Sequence, residues 1–153
     1  MLKVDVICGL LGAGKTTLIK AMLDTVYAGR RIAVIENEIG SVNLDAGEFD
    51  TPEIRVEELT SGCVCCSLKA NFYDALRLIS SDASVEYMVV EPSGAADIRD
   101  VLDVCESTDG VLVNRVIMVV NARKIRRFLG AMGPAFRAQF SEVNTIYINF
   151  AQQ

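Results

Sequence analysis

Histidine is absent from this 153-residue chain. Imidazole is thereby excluded as general base, proton shuttle or metal ligand, so any chemistry falls to carboxylates, thiolates and backbone groups. Tryptophan is absent too, and the aromatics are Tyr and Phe alone, which suits a parallel sheet with an aliphatic core. Positive charge is short: 15 Lys plus Arg against 20 Asp plus Glu leave a net charge of −5. Binding to nucleic acid requires clustered cations over the phosphates, so this balance argues against it. The one short basic run, Arg123-Lys124 with Arg126-Arg127, reads as a solvated helix face. No apolar stretch approaches the ~20 residues of a membrane span. The N-terminus runs directly into a candidate strand with no leader pattern. The expectation is a cytoplasmic protein with neither membrane nor nucleic acid as partner.

What the chain has is apolar residues, 51% of the total, in an alternating arrangement. Val- and Ile-rich runs at 4–8, 31–35, 86–90, 115–120 and 144–148 have the continuous apolar character of strands buried on both faces. Helical stretches lie between them, near 15–28, 67–80, 95–106 and 122–140, and a shorter candidate strand covers Ile54-Arg55-Val56-Glu57. Alternation of this kind predicts an α/β fold: three layers around a mostly parallel, doubly wound sheet, as one domain over residues 1–153. Ligands of such sheets gather at the carboxyl ends of the strands. The polar, Gly-containing segment 37–52 has little periodicity, and a stretch of that length is usually functional or mobile.

Four strings stand at those carboxyl ends. Gly9-Leu10-Leu11-Gly12-Ala13-Gly14-Lys15-Thr16 follows the first apolar run and has the form of a phosphate-binding loop. Glycines let successive N–H groups turn toward a polyphosphate, Lys15 reaches its terminal phosphates, and the Thr16 hydroxyl is placed to ligate magnesium. Asn37-Glu38-Ile39-Gly40 ends the second run, where Glu38 serves a magnesium ion, an attacking water or a second metal, or else is a solvated loop carboxylate. Cys63-Val64-Cys65-Cys66 places three of the five cysteines within four residues. Crowding of that kind suits a thiophilic metal or redox chemistry more than structural disulfides, and small buried side chains are the plain alternative. Three thiolates are one ligand short of a closed tetrahedral zinc shell. Glu91-Pro92-Ser93-Gly94 ends a core run, with Glu91 placed toward magnesium and the Gly94 amide toward the γ-phosphate; an ordinary strand-terminating turn competes. Cys8 and Cys105 stand alone on apolar elements and read as core packing.

Taken together, Gly9–Thr17, the Asn37–Gly40 loop with Asp45 downstream, Glu58-Leu59-Thr60-Ser61-Gly62-Cys63-Val64-Cys65-Cys66-Ser67-Leu68 and Glu91-Pro92-Ser93-Gly94-Ala95-Ala96-Asp97 resemble the CobW-type metallochaperone GTPases. These are relatives of the GTPases that insert nickel into urease and hydrogenase. The resemblance implies a P-loop fold and magnesium-dependent GTP hydrolysis coupled to delivery of zinc or another thiophilic divalent metal. It also implies a metalloprotein client or a homodimer partner. On its motifs, Gly9, Gly12, Ala13, Gly14, Lys15, Thr16, Thr17 and Gly94 hold phosphates, and Thr16, Glu38 and Glu91 serve the magnesium region. Cys63, Cys65 and Cys66 form the metal site, and Lys15, Glu38 and Glu91 are the catalytic candidates. Asn149 occupies the first place of a base-recognition string that reads Asn149-Phe150-Ala151-Gln152 where Asn-Lys-x-Asp is usual, which opens the choice between GTP and ATP. Asn121 stands where Asp is more usual. The family's chain normally continues beyond this length. The alternatives are a non-hydrolysing metal- and nucleotide-binding module, an ATP-using relative, and a small phosphotransferase, which leaves the cysteines without a task.

Overall fold

The Val- and Ile-rich runs at 4–8, 31–35, 86–90 and 115–120 become strands because their side chains meet apolar neighbours on both sides of a sheet. The run at 144–148, expected to be buried likewise, also forms a strand but stands at the sheet edge with Ile146, Tyr147 and Ile148 exposed. The computed structural model describes residues 1–36, 54–58, 67–92, 97–131, 137 and 139–151. Its elements in chain order are β1 (Leu2–Gly9), α1 (Lys15–Asp24), β2 (Ile32–Glu36), β3 (Ile54–Glu58), α2 (Ser67–Ser81) and β4 (Tyr87–Glu91), followed by α3 (Ile98–Glu106), β5 (Val111–Asn121), α4 (Ile125–Ala131), a 3-10 turn at Phe140–Glu142 and β6 (Thr145–Asn149). The strands form one six-stranded sheet in the order β3-β2-β4-β1-β5-β6, and every pairing is parallel.

Successive side chains of a strand point to opposite faces, which divides the core in two. Leu2, Val4, Val6 and Cys8 of β1 face Phe72, Leu76 and Ile79 of α2 and Ile98, Leu102 and Cys105 of α3. Ile7, with Ile32 and Val34 of β2, faces Ile19 and Met22 of α1. The result is the three-layer, doubly wound α/β architecture expected from the sequence. The crossover through α1 travels along the sheet in one direction and those through α2 and α3 in the other. A right-handed crossover changes face when it changes direction, so α1 covers one face and α2 and α3 the other. The reversal sits between β1 and β4, where the sheet splits its crossovers and opens a crevice at the carboxyl ends. No helix among the described residues is long and apolar enough to cross a membrane.

Several boundaries differ from the sequence expectation, each for a local reason. Helix α1 stops at Asp24 rather than near 28. The Thr25 hydroxyl donates to the Ala21 carbonyl at 2.6 Å, and the Tyr27 N–H returns to Met22 O at 3.0 Å. That turn brings the Tyr27 ring into the core, where its hydroxyl donates to Asp5. Helix α3 begins at Ile98 because the Asp97 carboxylate caps it, accepting the Arg99 N–H at 2.9 Å. Strand β5 begins at Val111, before the run at 115–120, and its register against β1 shifts between Val4 and Asp5. At that irregularity the Asn114 amide donates to Asp5 Oδ1 at 2.7 Å and Arg115 Nε lies 3.5 Å from Asp5 Oδ2. A carboxylate in the central strand is thereby surrounded by donors, as full burial requires. The last helical stretch, expected over 122–140, starts only at Ile125. Arg123 and Lys124 stand in the turn before it, and Arg126 and Arg127 alone occupy an exposed helix face.

Candidate phosphate-binding site

Strand β1 delivers the loop and α1 leaves it. Gly9 ends β1 at a φ of 141°, and a Cβ there would strike the Val119 carbonyl of β5. Its first demand is therefore the close approach of two strands. Leu10 and Leu11 carry the chain over the tip, with Leu11 84% exposed, and the Ala13 N–H closes the turn onto Leu10 O at 3.1 Å. Gly14, at a φ of 98°, is the N-cap of α1 and no side chain caps the helix. A Cβ on Gly14 would meet the Asn149 side chain.

The first helical hydrogen bond of α1 runs from Leu18 N to Gly14 O at 3.0 Å. The N–H groups of Lys15, Thr16 and Thr17 precede that ladder, and the positive end of the helix dipole lies with them. Helix start and loop thus form an anion-binding end at the centre of the sheet. Lys15 is buried, and its Nζ stands 3.3 Å from Glu91 Oε1 at the end of β4. Thr16 is half-buried and Thr17 exposed. The hydroxyl of Thr16 and the carboxylate of Glu91 are hard oxygen donors beside the loop, the donor type that magnesium takes. The residues present fit that ion.

Two asparagines that end neighbouring strands support the loop from behind. Asn121 of β5 and Asn149 of β6 are register partners. Asn121 Nδ2 donates to Gly12 O at 3.3 Å and Asn149 Nδ2 to Ala13 O at 3.2 Å. Asn149, expected to contact a nucleotide base, thus donates one amide N–H to the phosphate loop. Beyond it, Phe150 has a positive φ of 57°, its ring is 45% exposed, and the Arg123 guanidinium lies 5.9 Å from the ring centroid. Lys124 brings a second ammonium to the tip, 3.6 Å from where a Cβ on Gly12 would stand. In the sequence, Lys124 reads as part of a solvated basic run and Asn121 as a departure from Asp. The available signal was an Asn at the end of each of two adjacent strands.

Beneath the loop, the Cys8 thiol donates to Ile117 O at 3.4 Å. Burial pushes its pKa up to about 12, against smaller lowering effects from a backbone hydrogen bond and from Lys15. Burial likewise raises Cys105 to about 12, with Glu106 adding to it. Both are packing residues, as expected. Of the candidate site residues, Gly9, Gly12, Ala13, Gly14, Lys15, Thr16, Thr17, Glu91 and Asn149 gather at this end of the sheet. Glu38, Cys63, Cys65, Cys66 and Gly94 lie outside the described residues.

Comparison with known proteins adds the following. The family described as "CobW/HypB/UreG, nucleotide-binding domain" matches residues 3–151. The zinc chaperone CobW of Pseudomonas aeruginosa is 40% identical over 106 residues, covering 62% of this chain and 28% of that protein. The zinc chaperone YjiA of Escherichia coli is 38% identical over 99 residues, covering 61% of this chain and 31% of its own length. Among solved structures, the Zn(II)-bound YjiA GTPase from E. coli superposes with a TM-score of 0.67 at 25% identity, over 96% of this chain and 48% of that one. The chain thus spans about a third or less of these curated relatives and about half of the solved structure.

Proposed function

We propose, because the chain belongs to the CobW/HypB/UreG family of nucleotide-binding domains, that it binds and hydrolyses a nucleoside triphosphate and uses the nucleotide's state to time the handling of a thiophilic metal ion. The supporting observation is the convergence of the Lys15 ammonium, the open amino end of α1 and the Glu91 carboxylate at the crevice between β1 and β4. On this reading residues 1–153 are one P-loop domain. Gly9 to Thr17 cradle the phosphates, with Gly94 approaching the γ-phosphate. Thr16, Glu91 and Glu38 would hold magnesium, which would supply charge neutralisation on the triphosphate. Cys63, Cys65 and Cys66 take zinc as cargo, as the names of the relatives suggest.

In the reaction, water attacks the γ-phosphorus while the bond to the β–γ bridging oxygen breaks, giving the diphosphate and inorganic phosphate. Lys15 and the loop amides stabilise the equatorial oxygens, so positioning and charge do most of the work. With no histidine in the chain, the water is oriented by Glu38, by a backbone carbonyl or by a second subunit, and intrinsic turnover is slow. GTP is the proposed nucleotide on the family's habit. Discrimination against ATP is expected to be shallow, because the string ends in the neutral Gln152 where Asp is usual. The setting is the cytoplasm, with a metalloprotein client or a second copy receiving the metal.

Calorimetry with GTP and ATP, each with magnesium, tests the nucleotide reading. Lys15→Ala should weaken binding about 100-fold, the scale of a lost charge-assisted contact, and unchanged retention would remove the basis of the proposal. Equilibrium dialysis of zinc with and without a non-hydrolysable nucleotide tests the coupling, which equal affinities would end.

A further inference from the structure

We infer that Asn121, at the end of β5, is a positioning residue for the phosphate loop, acting with its register partner Asn149. The inference rests on the nucleotide reading above for what the loop holds, and on this chain's own geometry for how the loop is held. Consecutive loop carbonyls, Gly12 O and Ala13 O, accept from Asn121 Nδ2 and Asn149 Nδ2 respectively. The orientation of each amide is fixed from its other side. Asn121 Oδ1 accepts the Arg123 N–H at 3.0 Å, and Asn149 Oδ1 accepts the Phe150 N–H at 2.9 Å. With the oxygens so engaged, only the nitrogens face the loop, and the amide flip is settled by the network.

The consequence follows from peptide geometry. No peptide bond of the described chain is cis, and in a trans unit the carbonyl and the N–H point in opposite directions. Holding Ala13 O toward β6 turns the Gly14 N–H away from it, to the side where α1 begins. Holding Gly12 O toward β5 sets the peptide whose N–H, on Ala13, closes the turn to Leu10. The two asparagines therefore fix both peptides that lead into the helix. Among the described residues lining the groove behind the loop, Asn121 is the one polar side chain beside Leu10, Leu11, Ala13, Val119 and Ile125. The same turn, through Lys124 N to Asn121 O at 3.0 Å, carries the Lys124 ammonium to Gly12. The basic run at 123–127 is thus tied to the loop by the residue that orders it.

A base-contacting asparagine and a loop-positioning one differ in what they discriminate. Asn121→Ser keeps an acceptor for the Arg123 N–H but is too short to reach Gly12 O; Asn121→Ala removes both contacts. Affinities for GTP, ATP and inorganic triphosphate, each with magnesium, should all fall by the same factor in Asn121→Ser, about tenfold for one hydrogen bond. Thermal unfolding should stay near the unsubstituted protein. A loss confined to one base, or no loss, overturns the inference. Hydrogen–deuterium exchange over Leu10–Lys15 in the nucleotide-free protein reads loop order without any ligand. It should accelerate in both variants, and unchanged exchange overturns the inference whether or not the protein binds nucleotide. If the unsubstituted protein binds none of the three ligands, the proposed function fails and the exchange result alone decides the role of Asn121.

Discussion

Strands β1 and β6 both end at the phosphate loop, yet they are built in opposite ways. Seven of the eight β1 residues are buried, while β6, at the edge of the sheet, exposes Thr145, Ile146, Tyr147 and Ile148 and half-buries only Asn149. The loop that β1 delivers is fixed by packing on two faces. The contact that β6 delivers depends on its hydrogen-bonded register with β5, from Thr145 opposite Ile117 to Asn149 opposite Asn121. A functional contact therefore needs a well-placed backbone more than a buried one. Substitutions at the two strands should differ sharply in cost.

The largest effect is expected at Gly9→Ala. Its Cβ meets backbone on β5 that has little room to shift, and its φ is disfavoured for an L-residue, so a loss of about 3 kcal/mol or more is expected in chemical denaturation. Gly110→Ala sharpens the point, since a φ of 78° strains it but no atom lies within 4 Å of the added carbon; about 1 kcal/mol is expected there. Equal costs at the two glycines would break the contrast between packed centre and open periphery.

Next is Tyr27→Phe, which removes one donor from the buried Asp5 while leaving Asn114 and Arg115 in place. A loss of about 1–2 kcal/mol is expected, with triphosphate affinity unchanged because the contact lies away from the loop. A change in affinity without one in stability would show that this network acts on the site. The buried thiols come next. Their folded pKa of about 12 lies above the ordinary 9.0, so their contribution is complete below pH 9 and is lost as pH rises from there toward 12. Each should lower stability by about 1 kcal/mol between pH 8 and pH 10, and Cys8→Ala should flatten that slope in denaturant titrations. The smallest effect is expected at Ile148→Ser, whose side chain is 58% exposed. It should fall within about 0.5 kcal/mol; a larger loss would mean that β6 is covered in solution.

The same contrast explains what the sequence made legible. Continuous apolar runs announce strands, so β1, β2, β4, β5 and β6, the shorter β3, and their alternation with helices were readable. The exposure of β6 was not, because an apolar run does not tell an edge strand from a central one. The phosphate loop was readable because its glycines, Lys15 and Thr16 are dictated by local chemistry. The long-range hydrogen bonds were not. Asn121 and Asn149 lie far from Gly12 and Ala13 in sequence, and only the β1-β5-β6 adjacency brings them together. The pairing of Lys15 with Glu91 follows from β1 lying beside β4, and periodicity carries no information about neighbours in a parallel sheet. Asp5 was hidden for the same reason: its donors come from the turn after α1 and from an irregularity in β5 that no apolar pattern marks.

The burial of Cys8 and Cys105 has a practical consequence. With their acidity suppressed to about 12, neither presents appreciable nucleophilic sulfur to an alkylating reagent at neutral pH, because the anion is the reacting species. Of five cysteines in the chain, labelling of the native protein followed by mass spectrometry should leave Cys8 and Cys105 unmodified, so that any label is read on Cys63, Cys65 and Cys66. Protection of those three by added zinc would then be read against an unreactive background that the fold itself provides.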